Sequence, residues 1–180
     1  MQGERINQAK DALNDLVSGD TSGSGRFSTF RAREHIEIMP FSDHTLENQI
    51  YDLTQDAAKN REVMNRIGQQ VNQLLPEGGT AIFSSIAKIY PNAQEVLRKG
   101  ERTVSIVLLT DGQNTHGMGL VGFKQFIEKQ GEPHVPVFAI LYGDAKQTEM
   151  QELADSTGGR VFDARKVNLA RVMKDIRTFQ

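Results

Sequence analysis

The chain has 180 residues, 38% of them hydrophobic and 24% charged, a size and composition suited to one soluble globular domain with a full core. A net charge of -2 excludes the basic surface of a general nucleic-acid binder, and the lack of cysteine excludes disulfides and thiolate metal sites. No apolar stretch approaches the ~20 residues of a membrane-spanning helix, and the N-terminal MQGERINQAK is too polar for a signal peptide.

In chain order, Glu4 to Ser18 reads as a helix, with Ile6, Ala9, Leu13, Leu16 and Val17 on one face. Gly19 to Gly25 is a Gly/Ser break. Phe27 to Phe41 reads as extended, alternating through His35–Met39 and stopped by Pro40, and Asn48 to Leu53 as a short edge strand. Asp56 to Leu75 is a long amphipathic helix striped by Val63, Met64, Ile67, Val71, Leu74 and Leu75. After the break at Pro76–Thr80, one helix is expected from Ala81 to Tyr90, and a separate helical piece through Val96 and Leu97.

Val104 to Leu109 is then an apolar run interrupted only by Ser105, the mark of a strand covered on both faces. A helix carrying Leu120, Phe123 and Ile127 follows, then a second apolar strand, Val135 to Tyr142, closed by Gly143-Asp144. Glu149 to Ser156 is a helix stopped by Gly158-Gly159, Arg160 to Asp163 a short strand, and Asn168 to Phe179 the last helix. Such alternation implies an α/β fold, a three-layer doubly wound and mostly parallel sheet, in one domain over residues 1–180. The order opens on a helix with no strand before it, whereas such sheets normally open on a strand.

Two motifs carry chemistry. Gly78-Gly79-Thr80-Ala81 sets a hydroxyl at a loop-to-helix junction, and Leu108-Leu109-Thr110-Asp111-Gly112 sets a carboxylate at a strand end. Ligands of open α/β sheets bind outside the carboxyl ends of the strands. A threonine hydroxyl and an aspartate meeting there suit a hard cation, which takes oxygen ligands and fills its remaining positions with water. The alternative is that Asp111 caps the helix that follows.

This pair of motifs, in this order, resembles the von Willebrand factor A domain, most closely its bacterial members, over essentially the whole chain. The resemblance implies a metal-ion-dependent adhesion site with Thr80 and Asp111 as ligands for Mg²⁺, Mn²⁺ or Ca²⁺. It also implies a protein partner whose acidic residue completes the coordination, and no enzymatic activity. Gly79, Gly112, Gln113, Ser42 and Asp43 would form a partner-binding rim around the site. The parent protein would be exported or membrane-attached in preference to cytoplasmic.

The Asp-x-Ser-x-Ser element that the family carries at its first strand is missing, and Met1 to Ile6 resembles its continuation. The expectation is therefore an N-terminally truncated domain lacking its first central strand, with an incomplete metal site that binds weakly or not at all. The two flanking strands are expected to close the gap by pairing directly. A competing reading makes Asp111 the nucleophile or base of a hydrolase, with His116 or His44 as its partner. No G-x-S-x-G elbow or P-loop supports it, and Gln113 stands where aspartyl phosphatases carry a second Asp. A metal-free structural A domain is a third possibility. Ser42-Asp43-His44 and Gly143-Asp144 read first as turns, His116 as a solvated loop residue, and Ser84 and Ser85 as helix surface and packing.

Overall fold

The computed structural model describes residues 4–18, 30, 32–75, 78–142, 147–163, 171–172 and 175–176. Ten elements follow one another: α1 (Glu4–Ser18), β1 (His35–Ile38), β2 (Gln49–Asp52), α2 (Ala57–Gln73), α3 (Ile82–Arg98), β3 (Ile106–Thr110), α4 (Leu120–Gln130), β4 (Val137–Leu141), α5 (Gln147–Thr157) and β5 (Arg160–Asp163). Gly143-Asp144 lies outside the described residues, as does most of the last expected helix. Residues 171–172 and 175–176 are helical, with Val172 and Ile176 buried.

The two apolar runs pair as expected. β3 and β4 are parallel, with Ile106 opposite Val137 and Thr110 opposite Leu141, and β5 pairs parallel to β4 on the other side. All five residues of β4 are buried, since helices cover both of its faces. On one face Ile106 and Leu108 pack with Ile82, Phe83 and Ile86 of α3, Phe123 of α4 and Leu153 of α5. The Phe83 and Phe123 rings stand 5.4 Å apart, centroid to centroid. On the other face Phe138 and Ile140 pack with Ala9 of α1 and with Val172 and Ile176.

The sheet is not continuous. β1 and β2 form an antiparallel pair of their own, packed through Tyr51 and Leu53 on Val63, Ile67 and Val71 of α2. Among the described strands β1 pairs only with β2 and β3 only with β4, so the expected direct closure between β1 and β3 does not occur. The helical layers account for the separation. α1 is tied to α2 by Lys10 Nζ to the Asn72 carbonyl at 2.9 Å and Asn14 Nδ2 to Asn72 Oδ1 at 2.8 Å. Leu13 of α1 and Phe30 pack against both the core around Phe138 and Ile140 and the core around Tyr51, Leu53 and the α2 stripe.

A second expectation is corrected at α3. It is one helix that carries Pro91 within it, not two pieces. Proline removes an intrahelical donor and ordinarily kinks or stops a helix. Here tertiary bonds hold the helix on both sides of it. The Tyr90 hydroxyl accepts from the Val135 N–H at 2.9 Å, and Gln94 Nε2 donates to the carbonyls of Gly131 and Pro133 at 2.7 and 2.9 Å. Both side chains are fully buried. At the far end of the sheet, Gly158 takes φ 74° after α5 and the Gly159 N–H returns to the Ala154 carbonyl at 2.9 Å. A Cβ on Gly159 would stand 1.9 Å from the Val137 carbonyl oxygen, so β5 reaches β4 only because that atom is missing.

Two outcomes are expected in urea denaturation. Tyr90→Phe strands the buried Val135 N–H, and the variant loses about 1–3 kcal/mol. Gly159→Ala forces backbone against backbone and costs at least as much as ordinary overpacking, about 1–3 kcal/mol. Wild-type stability for either would contradict the contacts described.

Candidate functional site

The N-terminus of α3 has no side-chain cap of its own, because Ala81 occupies the cap position. The first N–H groups of a helix have no intrahelical partners and must find others. Neighbouring loops supply them. The Ala81 N–H donates to the Ser42 carbonyl at 2.7 Å, from the turn that follows β1. The Phe83 N–H donates to Asn114 Oδ1 at 3.4 Å, from the loop that follows β3. Asn114 Nδ2 in turn donates to the Met118 carbonyl at 2.9 Å, and the Met118 N–H donates to Ser84 Oγ at 2.8 Å.

Thr80 is held by the same loop from both sides of its main chain. Its N–H donates to Thr115 Oγ1 at 2.8 Å, and its carbonyl accepts from the N–H groups of Thr115 and His116 at 2.8 and 3.1 Å. A methyl on Gly112 would stand 3.5 Å from Thr80 Oγ1. The Thr80 hydroxyl thus lies against the residue that follows Asp111, at the end of β3. Thr110 beneath is buried, and its carbonyl accepts from the Tyr142 N–H at 2.8 Å. Asp111 does not cap the following helix: α4 begins at Leu120, with Gly119 at its cap and no side-chain cap bond.

The Ser42-Asp43-His44 turn forms the third side. Ser42 Oγ donates to Asp43 Oδ1 at 3.1 Å, and His44 Nδ1 stands 2.5 Å from the same oxygen. Hydrogen bonding from His44 first, and from Ser42 second, holds the Asp43 carboxyl below its ordinary range. That depression favours the folded turn above the normal aspartate range, and the advantage is lost as pH falls through the folded pKa. Lys88 Nζ of α3 anchors the turn at Thr45 Oγ1, 2.7 Å away.

Gly78 and Gly79 lie between this turn and the β3 loop. A Cβ on Gly78, at φ 68°, would stand 3.1 Å from the Asp43 carboxylate, and one on Gly79 only 2.1 Å from His116 Nδ1. The two glycines let the flanking loops close over the backbone leading to Thr80.

The structure therefore brings Thr80, Gly79, Gly112, Ser42 and Asp43 to one end of the molecule. Gln113 is exposed in the same loop as Gly112. Sequence reading overlooked Asn114, Thr115 and Met118; His116 is an exposed loop residue and Ser84 a half-buried residue of α3, as expected, and both take part in contacts between the loops. No spacing marks any of these, since each acts across a tertiary contact. One ring nitrogen of each candidate histidine is engaged: His116 Nδ1 meets Thr115 Oγ1 at 2.9 Å, and His44 Nδ1 meets Asp43 Oδ1. Among the described residues no three His, Cys, Asp or Glu side chains gather as a metal cluster.

The family model of the von Willebrand factor type A domain matches residues 1–177. The chain belongs to this family. Solved structures agree with the A-domain fold. Proximal thread matrix protein 1 from the mussel byssus is similar, with a TM-score of 0.57 and 18% identity in one crystal form, and 0.53 and 16% in another. The chain is covered to 96% in the first of these and spans 42% of that protein. An uncharacterized membrane-spanning protein from Vibrio fischeri aligns over 97% of the chain at a TM-score of 0.38 and 18% identity. The search of curated proteins found no match. No described helix of this A domain is long and apolar enough to cross a membrane.

Thr115→Val keeps the side-chain shape and removes the acceptor of the Thr80 N–H. It is expected to lower stability by about 1 kcal/mol in urea denaturation and to broaden or shift the Thr80 and Gly112 amide signals. Unchanged signals would mean that Thr115 does not position Thr80.

Proposed function

We propose that this A domain binds a protein partner through the face formed by residues 42–44, 78–80 and 111–116, with a divalent cation at its centre. Thr80 and Asp111 supply oxygen donors to Mg²⁺, Mn²⁺ or Ca²⁺, and an acidic residue of the partner completes the coordination. Gly79, Gly112, Gln113, Ser42 and Asp43 form the rim. Domains of this family generally mediate protein interactions and are typically not enzymes.

One observation carries the reading: the main chain of Thr80 is clamped by Thr115 and His116 while its hydroxyl rests against Gly112, next to Asp111. Magnesium takes oxygen ligands, keeps several waters and needs only one or two carboxylates. A hydroxyl and a carboxylate on rigid backbone suit such an ion, and with so few protein donors the affinity of the chain alone is low. The net charge of -2 fits a partner other than nucleic acid.

Paramagnetic broadening by Mn²⁺ tests this at low affinity. Millimolar Mn²⁺ is expected to broaden the amide signals of Thr80, Gly112 and Gln113 before others, Mg²⁺ to compete, and Asp111→Ala and Thr80→Ala to remove the effect. Broadening that is uniform, centred elsewhere, or unchanged in both variants would refute the cation site.

A further inference from the structure

The hairpin of β1 and β2 is irregular at its start, and the irregularity fixes which way β2 turns its backbone. The Arg33 N–H donates to the Leu53 carbonyl at 2.9 Å, and the Leu53 N–H donates to the Glu34 carbonyl at 2.9 Å. Two residues thus oppose one, with Arg33 at φ 70°, the arrangement of a bulge whose first residue is left-handed. Leu53 therefore faces β1 with both backbone groups. Facing alternates along each strand of an antiparallel pair, so Tyr51, opposite Ile36, faces β1 as well. Ile50 and Asp52 turn their N–H and C=O groups the other way, to the outer edge of β2, with which no described strand pairs.

Sheet edges are commonly blunted by lysine or proline, and Gln49–Asp52 contains neither. Gln49, Ile50 and Asp52 are exposed, Ile50 to 57%. Ile50 shares its face with Glu37, directly opposite it, and with His35 and Asp52, whose side chains meet at 2.7 Å. On the other face Tyr51 is buried, and its hydroxyl lies 2.8 Å from Gln49 Oε1 and 2.6 Å from Gln70 Oε1, so the edge is polar there. Residues 34–58 hold six carboxylates and no lysine or arginine, whereas the whole chain carries a net charge of only -2. The outer edge of β2 is thus a row of main-chain groups in an acidic field, with one exposed aliphatic side chain in its middle.

We propose that this edge pairs with an extended basic segment of a partner protein, in which lysine or arginine stands two residues before and two residues after an aliphatic residue. An added strand satisfies the main-chain groups of Ile50 and Asp52. Side chains at every second position share a face, so the aliphatic residue packs on Ile50 while its basic neighbours lie on the same face, among Glu37 and Asp52. The residues between them meet the hydroxyl and amide groups of Tyr51 and Gln49, which calls for polar side chains. The β2 edge of a second copy carries the same carboxylates and is repelled. The surface uses none of the residues assigned to the cation and is tested without one.

The test is amide hydrogen exchange on the full chain, dilute and in EDTA. Ile50 and Asp52 are expected to exchange roughly tenfold or more faster than Tyr51, although all three lie in one strand. The probe is the peptide Thr-Lys-Thr-Ile-Thr-Lys-Thr with blocked ends. It should slow Ile50 and Asp52 saturably and leave Tyr51 unchanged, and added salt should weaken the effect. Asp52→Asn, which keeps an acceptor for His35 and removes the charge, should bind the peptide several-fold more weakly. The peptide Thr-Glu-Thr-Ile-Thr-Glu-Thr should have no effect. Three results would overturn the proposal. Protection of Ile50 and Asp52 equal to that of Tyr51 in the dilute chain would mean that the edge is already covered. Protection that rises with protein concentration alone would assign the edge to a second copy. No slowing by the lysine peptide at its highest soluble concentration, or equal slowing by the glutamate peptide, would show that the edge does not select a basic segment.

Discussion

Two consecutive residues, Thr80 and Ala81, couple the elements that matter for function. Ala81 cannot cap α3 with its own side chain, so the helix start recruits backbone and side-chain acceptors from the turn after β1 and the loop after β3. Hydrogen bonding that most helices satisfy locally is here tertiary. The loop carrying Asp111 and Gly112, the strip Gly78-Gly79 and the turn Ser42-Asp43-His44 therefore cannot move independently. A face built from three separate parts of the chain behaves as one surface.

Beneath that face the molecule is rigid where it is doubly covered. β4 is buried along its whole length between α3, α4 and α5 on one side and α1 with Val172 and Ile176 on the other. β3 shares both layers but among the described strands pairs on one side only, and its residues alternate between buried and half-buried. The site thus stands at the end of a strand that is firmly packed through its side chains. Packing fixes where Asp111 emerges, and among the described strands none pairs with the other edge of β3.

The strands and most helices were legible because their signals are local. Continuous apolar runs at Val104–Leu109 and Val135–Tyr142 and the period of Glu4–Ser18 depend only on what each segment must bury. Pro91 misled because the rule against proline in helices is also local, while Tyr90 and Gln94 hold that helix through bonds to residues 131–135. The glycines of Gly78-Gly79 were visible as a break. Their reason, the approach of Asp43 and His116 to within contact of the backbone, was not.

By itself the sequence determined the order and type of most elements, the parallel pairing of the two apolar strands, and the two motifs whose residues lie at one end of the sheet. Burial and periodicity are properties of a single segment, so they can be read from one. The tertiary structure alone decided that the described strands divide into two sheets between β1 and β3, that Thr115 and His116 clamp Thr80, and that Tyr90 and Gln94 hold α3 across Pro91. Each of these depends on which hydrogen-bonding group meets which across the fold. Backbone groups are identical in every residue, so nothing in the sequence distinguishes a paired one from an unpaired one.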